Sequence, residues 1–523
     1  MPVRLIVWLC VVLCANPAWA TIYASDGSRA DVQAKIDGAA DGDTVTIPAG
    51  TFDWQTTVTI PSTKGIILQG AGRTSTTITG GANGGNYRML SVRVATGNSV
   101  TRITAIKWDH QFTVCSGACG QVWISGNGVD SFRFDNNHLA GIYTRGLMVY
   151  ATDSAAENIP TGTEISGLID NNIIECSLTT DTNCTALDIE MSPNWDGTGG
   201  CNTVACNVGL GWGAPFARAF ELGSNKSIYI EDNEFRFHGI SQNGAGDIYG
   251  GAQLVWRYNT HDGPSIGWHG QDSGGARGMH WTEVYRNDID VGDDANLVHY
   301  RSGTGVFFDN IYINAAGLEV AMTTYRSRPE TFQAAVGQCD GSSLLDGNTG
   351  SGLNGGWPCI DQPGWLFDEN VGAGFTAKQT YFWGNRNGGA QVTIDKSEGG
   401  DPQMADTHYC NRDYYNENTS FNGAATENSC TTGGVGIGTL AARPATCTTG
   451  VAYWATDQGS WNVSGNGDGS GLLYKCTATD TWSLYYTPYD YPHPLQGVSQ
   501  GGTPQNSGSV VPRRIIRSPG DDD

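Results

Sequence analysis

Three stretches decide the fold: Ile230-Glu231-Asp232-Asn233-Glu234-Phe235, Phe134-Asp135-Asn136-Asn137-His138-Leu139 and Val284-Tyr285-Arg286-Asn287-Asp288-Ile289. Each reads apolar, two polar, Asn, one polar, apolar. The spacing returns as Ile169…Asn172…Ile174 and Phe307…Asn310…Tyr312, and without its last apolar residue as Trp256…Asn259 and Phe382…Asn385. From Asn233 through Asn259 and Asn287 to Asn310 the steps are 26, 28 and 23 residues. A period in the twenties built of short strands and turns is the signature of a β-solenoid. One coil cannot bury its apolar face, so coils must stack. Alternate side chains then point inward, which predicts Phe132 and Phe134, Ile228 and Ile230, and Leu254 and Trp256 in the core. An Asn at the same corner of successive coils can adopt left-handed geometry and bond backbone, giving an amide ladder.

Outward from the repeats, the chain opens with Met1-Pro2-Val3-Arg4, an apolar run from Leu5 to Ala15, and Pro17-Ala18-Trp19-Ala20. This reads as a secretory signal peptide cleaved after Ala20, too short to span a bilayer. The expected protein is secreted or at the cell surface, and not membrane-spanning. Of 14 Cys, Cys10 and Cys14 leave with the signal, so 14 − 2 = 12 remain. They fall into local couples: Cys115 with Cys119, Cys176 with Cys184, Cys201 with Cys206, Cys339 with Cys359, Cys410 with Cys430, and Cys447 with Cys476. An even number outside a reducing compartment predicts disulfides. Tight Cys-x-x-Cys zinc pairs are missing from the sequence, so no metal ligands are assigned. The net charge of −23 disfavours nucleic acid, which needs basic patches. It also disfavours a bare polyanionic substrate unless a cation bridges. Oligomeric state is not legible.

Asp31 to Ala39 predicts a short helix with Val32 and Ile36 on one face, a cap for the first coil. The segment Asp41-Gly-Asp-Thr-Val-Thr-Ile-Pro-Ala-Gly-Thr-Phe52 follows. Residues Ala30 to Gly72 resemble the N-terminal coil of right-handed parallel β-helix proteins of the pectin-lyase-like superfamily. The repeats extend that resemblance to about Asn385. It implies an all-β, right-handed parallel β-helix over 21–435. The superfamily includes lyases, hydrolases, adhesins and viral tailspikes, so the resemblance fixes no activity. A small disulfide-tied β module is expected over 436–496, similar to modules near the ends of phage tail fibres, and a disordered tail over 497–523. Cys176–Ala214 and Cys339–Trp365 read as long loops.

The densest mix of titratable and aromatic groups lies between His238 and Arg301. Aromatic faces beside carboxylates suit a sugar ring and its acid and base. The candidate catalytic residues are His269, Asp293, Asp294 and Arg301. The candidate substrate-binding residues are Trp256, His261, Asp262, Trp268, Asp272, Arg277, His280, Trp281 and His299. Polygalacturonase-type members of the superfamily carry Asn-Thr-Asp, Asp-Asp, Gly-His-Gly and Arg-x-Lys in that order. Here Asn259-Thr260-His261-Asp262, Trp268-His269-Gly270, Asp293-Asp294 and Arg301 break both the order and the motifs. Lyase members use Lys or Arg with carboxylate-held calcium, so calcium is the one cofactor the resemblance allows; otherwise none is expected. The leading expectation is an adhesive protein that binds a polysaccharide or surface glycan. The alternative is a polysaccharide-degrading lyase or glycoside hydrolase.

Overall fold

A computed structural model of the 523-residue chain describes residues 20–80, 87–110, 119–142, 145–151, 165–176, 184–191, 221–237, 245–263, 266–268, 278–290, 296–313, 319–322, 358, 362–368, 374–396, 408–464 and 469–497. Residues 1–19 of the segment expected to be a signal peptide (1–20) and residues 498–523 of the expected tail (497–523) lie outside the described residues.

The chain winds as a right-handed parallel β-helix. Among the described residues, sheet A has 12 strands, sheet B has 11, and six-stranded sheet C is succeeded by four-stranded sheet D. One coil runs Thr185–Glu190 in sheet C, Ile228–Glu231 in sheet A and Glu234–Phe237 in sheet B. From Ile266–Gly267 onward, strands of sheet D take the place of sheet C. Parallel neighbours require each strand to return by a full turn of chain, and the return is right-handed for L-residues. At the N-terminus, helix Arg29–Gly38 is capped by Ser28, whose side chain accepts from the Asp31 backbone N–H. Its Val32 and Ile36 are buried against the first coil.

The interior is apolar and follows the predicted parity. Phe132, Phe134, Ile228, Ile230, Leu254 and Trp256 are all fully buried in one continuous core. Aromatic rings stack from coil to coil, as Phe235 does on Trp256 at 5.0 Å and Phe307 on Phe382 at 4.8 Å.

The Asn ladder fills the corner between sheets A and B. It runs Asn137, Asn172, Asn233, Asn259, Asn287, Asn310, Asn385, each nearly or fully buried. Asn259 shows the logic. Its backbone N–H and Nδ2 donate to Asn287 Oδ1 at 3.0 and 3.1 Å. The same Nδ2 reaches the Ile230 and Arg257 carbonyls, and its Oδ1 accepts from Asn233. One detail corrects the expectation. The left-handed residue is not the ladder Asn but the one before it: Asn136, Asn171, Asp232, Tyr258, Arg286 and Asp309 have φ between 53 and 57°, and Gly384 has 68°. The ladder amides bridge backbone that this kink leaves unpaired. Asn259→Ala should therefore lower stability by about 1–3 kcal/mol through unmet buried groups. A urea denaturation midpoint shifted without a change of slope is the expected result.

Three of the six predicted disulfides lie wholly among the described residues and are formed: Cys176–Cys184, Cys410–Cys430 and Cys447–Cys476. Cys119 is disulfide-bonded, while Cys115, Cys201, Cys206, Cys339 and Cys359 lie outside the described residues.

Strands Val435–Gly438, Ala452–Ala455, Leu472–Ala478 and Thr481–Tyr486 form a separate four-stranded sheet. It packs on the outer face of sheet A, where Tyr229, Tyr285, Phe308 and Trp383 meet Trp454, Trp461, Leu473 and Tyr486. The segment after Tyr486 then crosses a buried ionic row on the same face. Arg257 pairs with Glu231 at 2.6 Å and donates to the Tyr489 and Asp490 carbonyls. Arg133 pairs with Asp170 at 2.8 Å and donates to the Leu495 carbonyl. The Tyr486 hydroxyl donates to Glu283 at 2.5 Å.

Burial pushes the Glu283 carboxyl up to about 7, against the lowering effect of Tyr486 and the Gly223 N–H. Burial likewise pushes Asp170 up to about 6 despite Arg133. Folding thus favours the protonated forms. The stability they confer is present in acid and is lost as pH rises from the ordinary carboxylate range through these values. The wild type should lose more stability than Glu283→Gln between about pH 5 and about pH 8, measured by urea denaturation.

Candidate functional site

The sequence candidates do not assemble into one site. Trp256, Trp268 and His261 face the interior and are essentially fully buried. The His261 ring stacks on Phe235 at 4.6 Å and receives the Trp256 Nε1–H. Burial holds His261 down at about 3, so it is a neutral core residue. These three are packing residues, which corrects their assignment to substrate. Trp281 is buried on sheet A with its Nε1–H on Ser227, and His280 is buried beside it. Asp262 is exposed on sheet B. His299 and Arg301 are half-buried on and just after the sheet D strand Asn296–Tyr300, joined by Arg301 Nη2 to His299 Nδ1 at 2.8 Å. His269, Asp272, Arg277, Asp293 and Asp294 lie outside the described residues.

A different cluster stands on the outer face of sheet C. Leu90, Val122, Leu147 and Leu187 are buried in the core, so their neighbours along each strand face out. Strand register lines those neighbours up. One row is Ser91, Trp123, Met148, Asp188 and Asp247. The next is Arg93, Ser125, Tyr150, Glu190 and Tyr249. Two residues before those core positions, at the strand starts, Arg88, Gly120, Arg145 and Thr185 lie side by side, and the Arg88 and Arg145 guanidinium groups reach the outer face at Trp123 and Asp188. Adjacent members of a row are about 4.8 Å apart, so residues 59 positions apart in the chain, Asp188 and Asp247, become neighbours.

The floor of the cluster is two carboxylates, Asp188 with 0% and Glu190 with 8% of its surface exposed. Arg145, Tyr150 and Asp247 are half-buried around them, and half-buried Arg88 stands further along the sheet against Trp123. The Arg145 guanidinium pairs with Asp188 Oδ2, and the Tyr150 hydroxyl donates to the same oxygen at 2.9 Å. Asp188 Oδ1, fully buried, has no hydrogen-bond partner among the described residues. Tyr249 donates its hydroxyl to Glu190 Oε2 at 3.3 Å.

The two carboxyls are driven apart in acidity. Burial pushes Asp188 up to about 6, opposed by Arg145 and Tyr150, so it is ionised at neutral pH. Burial, then the Asp188 charge, pushes Glu190 well above the usual carboxylate range, which favours its protonated form. Two carboxyl groups of unequal acidity, two residues apart on one strand, can serve as proton donor on one side of a bond and proton acceptor on the other. Among the described residues, no group of three His, Cys, Asp or Glu side chains stands close enough to hold a metal ion.

This cluster escaped the sequence reading because Cys176–Ala214 was taken as a loop. Thr185-Ala-Leu-Asp-Ile-Glu190 is instead a sheet strand. Its signal was present: Asp188 and Glu190 alternate with Leu187 and Ile189, the pattern of a strand with one apolar face.

No family model and no curated protein matches the chain. Among solved structures, it is similar to an alginate lyase from Paenibacillus sp. str. FPU-7 at 13% identity, covering 58% of this chain and 99% of that one, with a TM-score of 0.34. A mannuronic acid specific polysaccharide family 6 lyase from human gut microbiota matches at 14% identity over 60% of this chain and 69% of that one, with a TM-score of 0.32. The catalytic domain of a GH87 alpha-1,3-glucanase in complex with tetrasaccharides matches at 11% identity over 78% and 69%, with a TM-score of 0.29. Likenesses this distant carry no argument about activity, and the fold stands on the strand pairing above. No helix among the described residues is long and apolar enough to cross a membrane.

Proposed function

We propose that the chain is a secreted carbohydrate-active enzyme that hydrolyses a polysaccharide on the outer face of sheet C. The observation that carries this reading is the pair Asp188 and Glu190, two buried carboxyl groups on adjacent outward positions of one strand, Asp188 held through one oxygen by Arg145 and Tyr150 with the other unpartnered among the described residues, and Glu190 held by Tyr249. Asp188 Oδ1 accepts a proton from water while the water oxygen forms the new bond to the anomeric carbon. Glu190 gives its proton to the glycosidic oxygen as the carbon–oxygen bond breaks. These are the two roles that glycoside hydrolysis asks of paired carboxyl groups. Arg145 and Tyr150 fix Asp188 by its other oxygen, and Oδ1 has no partner among the described residues. This ordering reverses the sequence expectation, in which glycan binding without cleavage led; that reading contains no use for two buried carboxyl groups of unequal acidity on one strand.

The test is a reducing-end assay across a panel of polysaccharides, with the rate followed against pH. Activity should rise as Asp188 ionises near 6 and fall at higher pH as Glu190 loses its proton, giving a bell. Glycan retention with no product under any pH would leave the adhesive reading in place. Unsaturated product would replace hydrolysis by elimination.

A further inference from the structure

Sheet C carries a second feature that the acid–base pair does not use. Arg88 lies flat on the Trp123 ring, with its guanidinium carbon 3.7 Å from the ring centroid. It forms no ion pair with any described residue, although the protein carries 52 Asp and Glu against 29 Lys and Arg. Among the described residues its Nε is buried without an acceptor, and so is the Trp123 indole Nε1. Two orphaned donors therefore sit in one stacked pair. A buried donor without a partner costs free energy, and a charged one more. Trp123 precedes Met148 and Asp188 in their row, so the pair stands two strands from Asp188, about 9–10 Å along the helix axis. The charged side chains that act on Arg88 are Arg145, which repels it, and Asp188, already satisfied at one oxygen by Arg145 and Tyr150.

We propose that Arg88 and Trp123 form a subsite for an anionic substituent, a carboxylate or a sulfate, on a sugar lying to one side of the bond that is cleaved. The substrate is then an acidic polysaccharide, the class that the chain's overall charge argues against. An oxyanion there accepts from Arg88 Nε and the indole N–H together, and the aromatic face beneath the guanidinium fixes its plane. The local cations outweigh the distant acidic surface because exposed charges beyond about 10 Å are screened by salt, whereas the partly buried Arg88 is not. The assignment of the sugar to this face rests on the hydrolytic reading above, but the anion subsite can be measured without turnover.

The experiment is calorimetric affinity for three probes of equal length: a uronic-acid oligosaccharide, a sulfated-galactose oligosaccharide and a neutral glucose oligosaccharide. The wild type should bind one anionic probe at least tenfold more tightly than the neutral one, and which probe wins distinguishes carboxylate from sulfate. Arg88→Gln should abolish that preference without weakening the neutral probe, and Arg88→Lys should restore part of it. Trp123→Phe keeps the stack and removes only the N–H, and should weaken the anionic probe several-fold. Equal binding of neutral and anionic probes, binding of none, or an Arg88→Gln variant with the preference intact overturns the subsite. Cleavage of neutral glycans with no Arg88 dependence would leave the hydrolytic reading standing while the subsite falls. Arg88-dependent anion binding with no cleavage would do the reverse.

Discussion

Glu190→Gln should lower the rate of glycan cleavage by roughly 10²–10⁴-fold while the protein still binds its glycan. Gln is nearly the same shape and keeps an acceptor for the Tyr249 hydroxyl, so the fold should hold. What it lacks is a proton it can give to the leaving oxygen. The variant should also lose the high-pH limb of the rate profile, because that limb is the ionisation of Glu190. Asp188→Asn is a weaker probe. It removes the anion that Arg145 and Tyr150 hold, so lost activity and lost stability arrive together. Full activity in Glu190→Gln, with the high-pH limb unchanged, would remove Glu190 from the chemistry.

Arg257→Met should destabilise the protein by about 3–5 kcal/mol, the largest single effect expected outside the core. Arg257 and Glu231 are both fully buried on sheet A, and the Arg257 guanidinium also donates to Tyr285, Tyr489 and Asp490. Met fills a similar volume but leaves the Glu231 carboxylate buried without its cation. Backbone N–H of His493 and the Gln496 amide still reach Glu231, so part of its solvation survives. Removing the charge as well, in Arg257→Met with Glu231→Gln, should cost less than the two single changes added together, because the residues share one interaction. Urea denaturation gives the magnitude. Limited proteolysis should show cleavage after Tyr486 appearing first, since that segment loses its anchor. A shift below about 1 kcal/mol would mean the pair is no better than a surface ion pair.

The solenoid was legible because its repeat is local. All seven corner Asn could be found by spacing alone, and the inward parity of Phe132, Ile230 and Trp256 followed from alternation. The kink one residue before each Asn was not, since Tyr258 and Arg286 carry no sequence mark of left-handed backbone. The site was illegible for two physical reasons. Density of His and Trp between His238 and Arg301 suggested a sugar-binding face, yet a solenoid of this width needs large inward side chains, and Trp256, Trp268 and His261 supply them. The carboxylates that face outward are brought together by register across insertions of unequal length, as Asp188 and Asp247 are. A strand of six residues between a disulfide and a long insertion reads as loop until its neighbours are known.

Cleavage in water labelled with heavy oxygen tests the central claim most directly. Hydrolysis with Asp188 as base puts one labelled oxygen on each new reducing end, seen by mass spectrometry of the oligosaccharides. The expected result is labelled, saturated product from the wild type, formed roughly 10²–10⁴-fold more slowly by Glu190→Gln. Unlabelled product with an unsaturated end, or no product from any neutral or acidic polysaccharide, would contradict it.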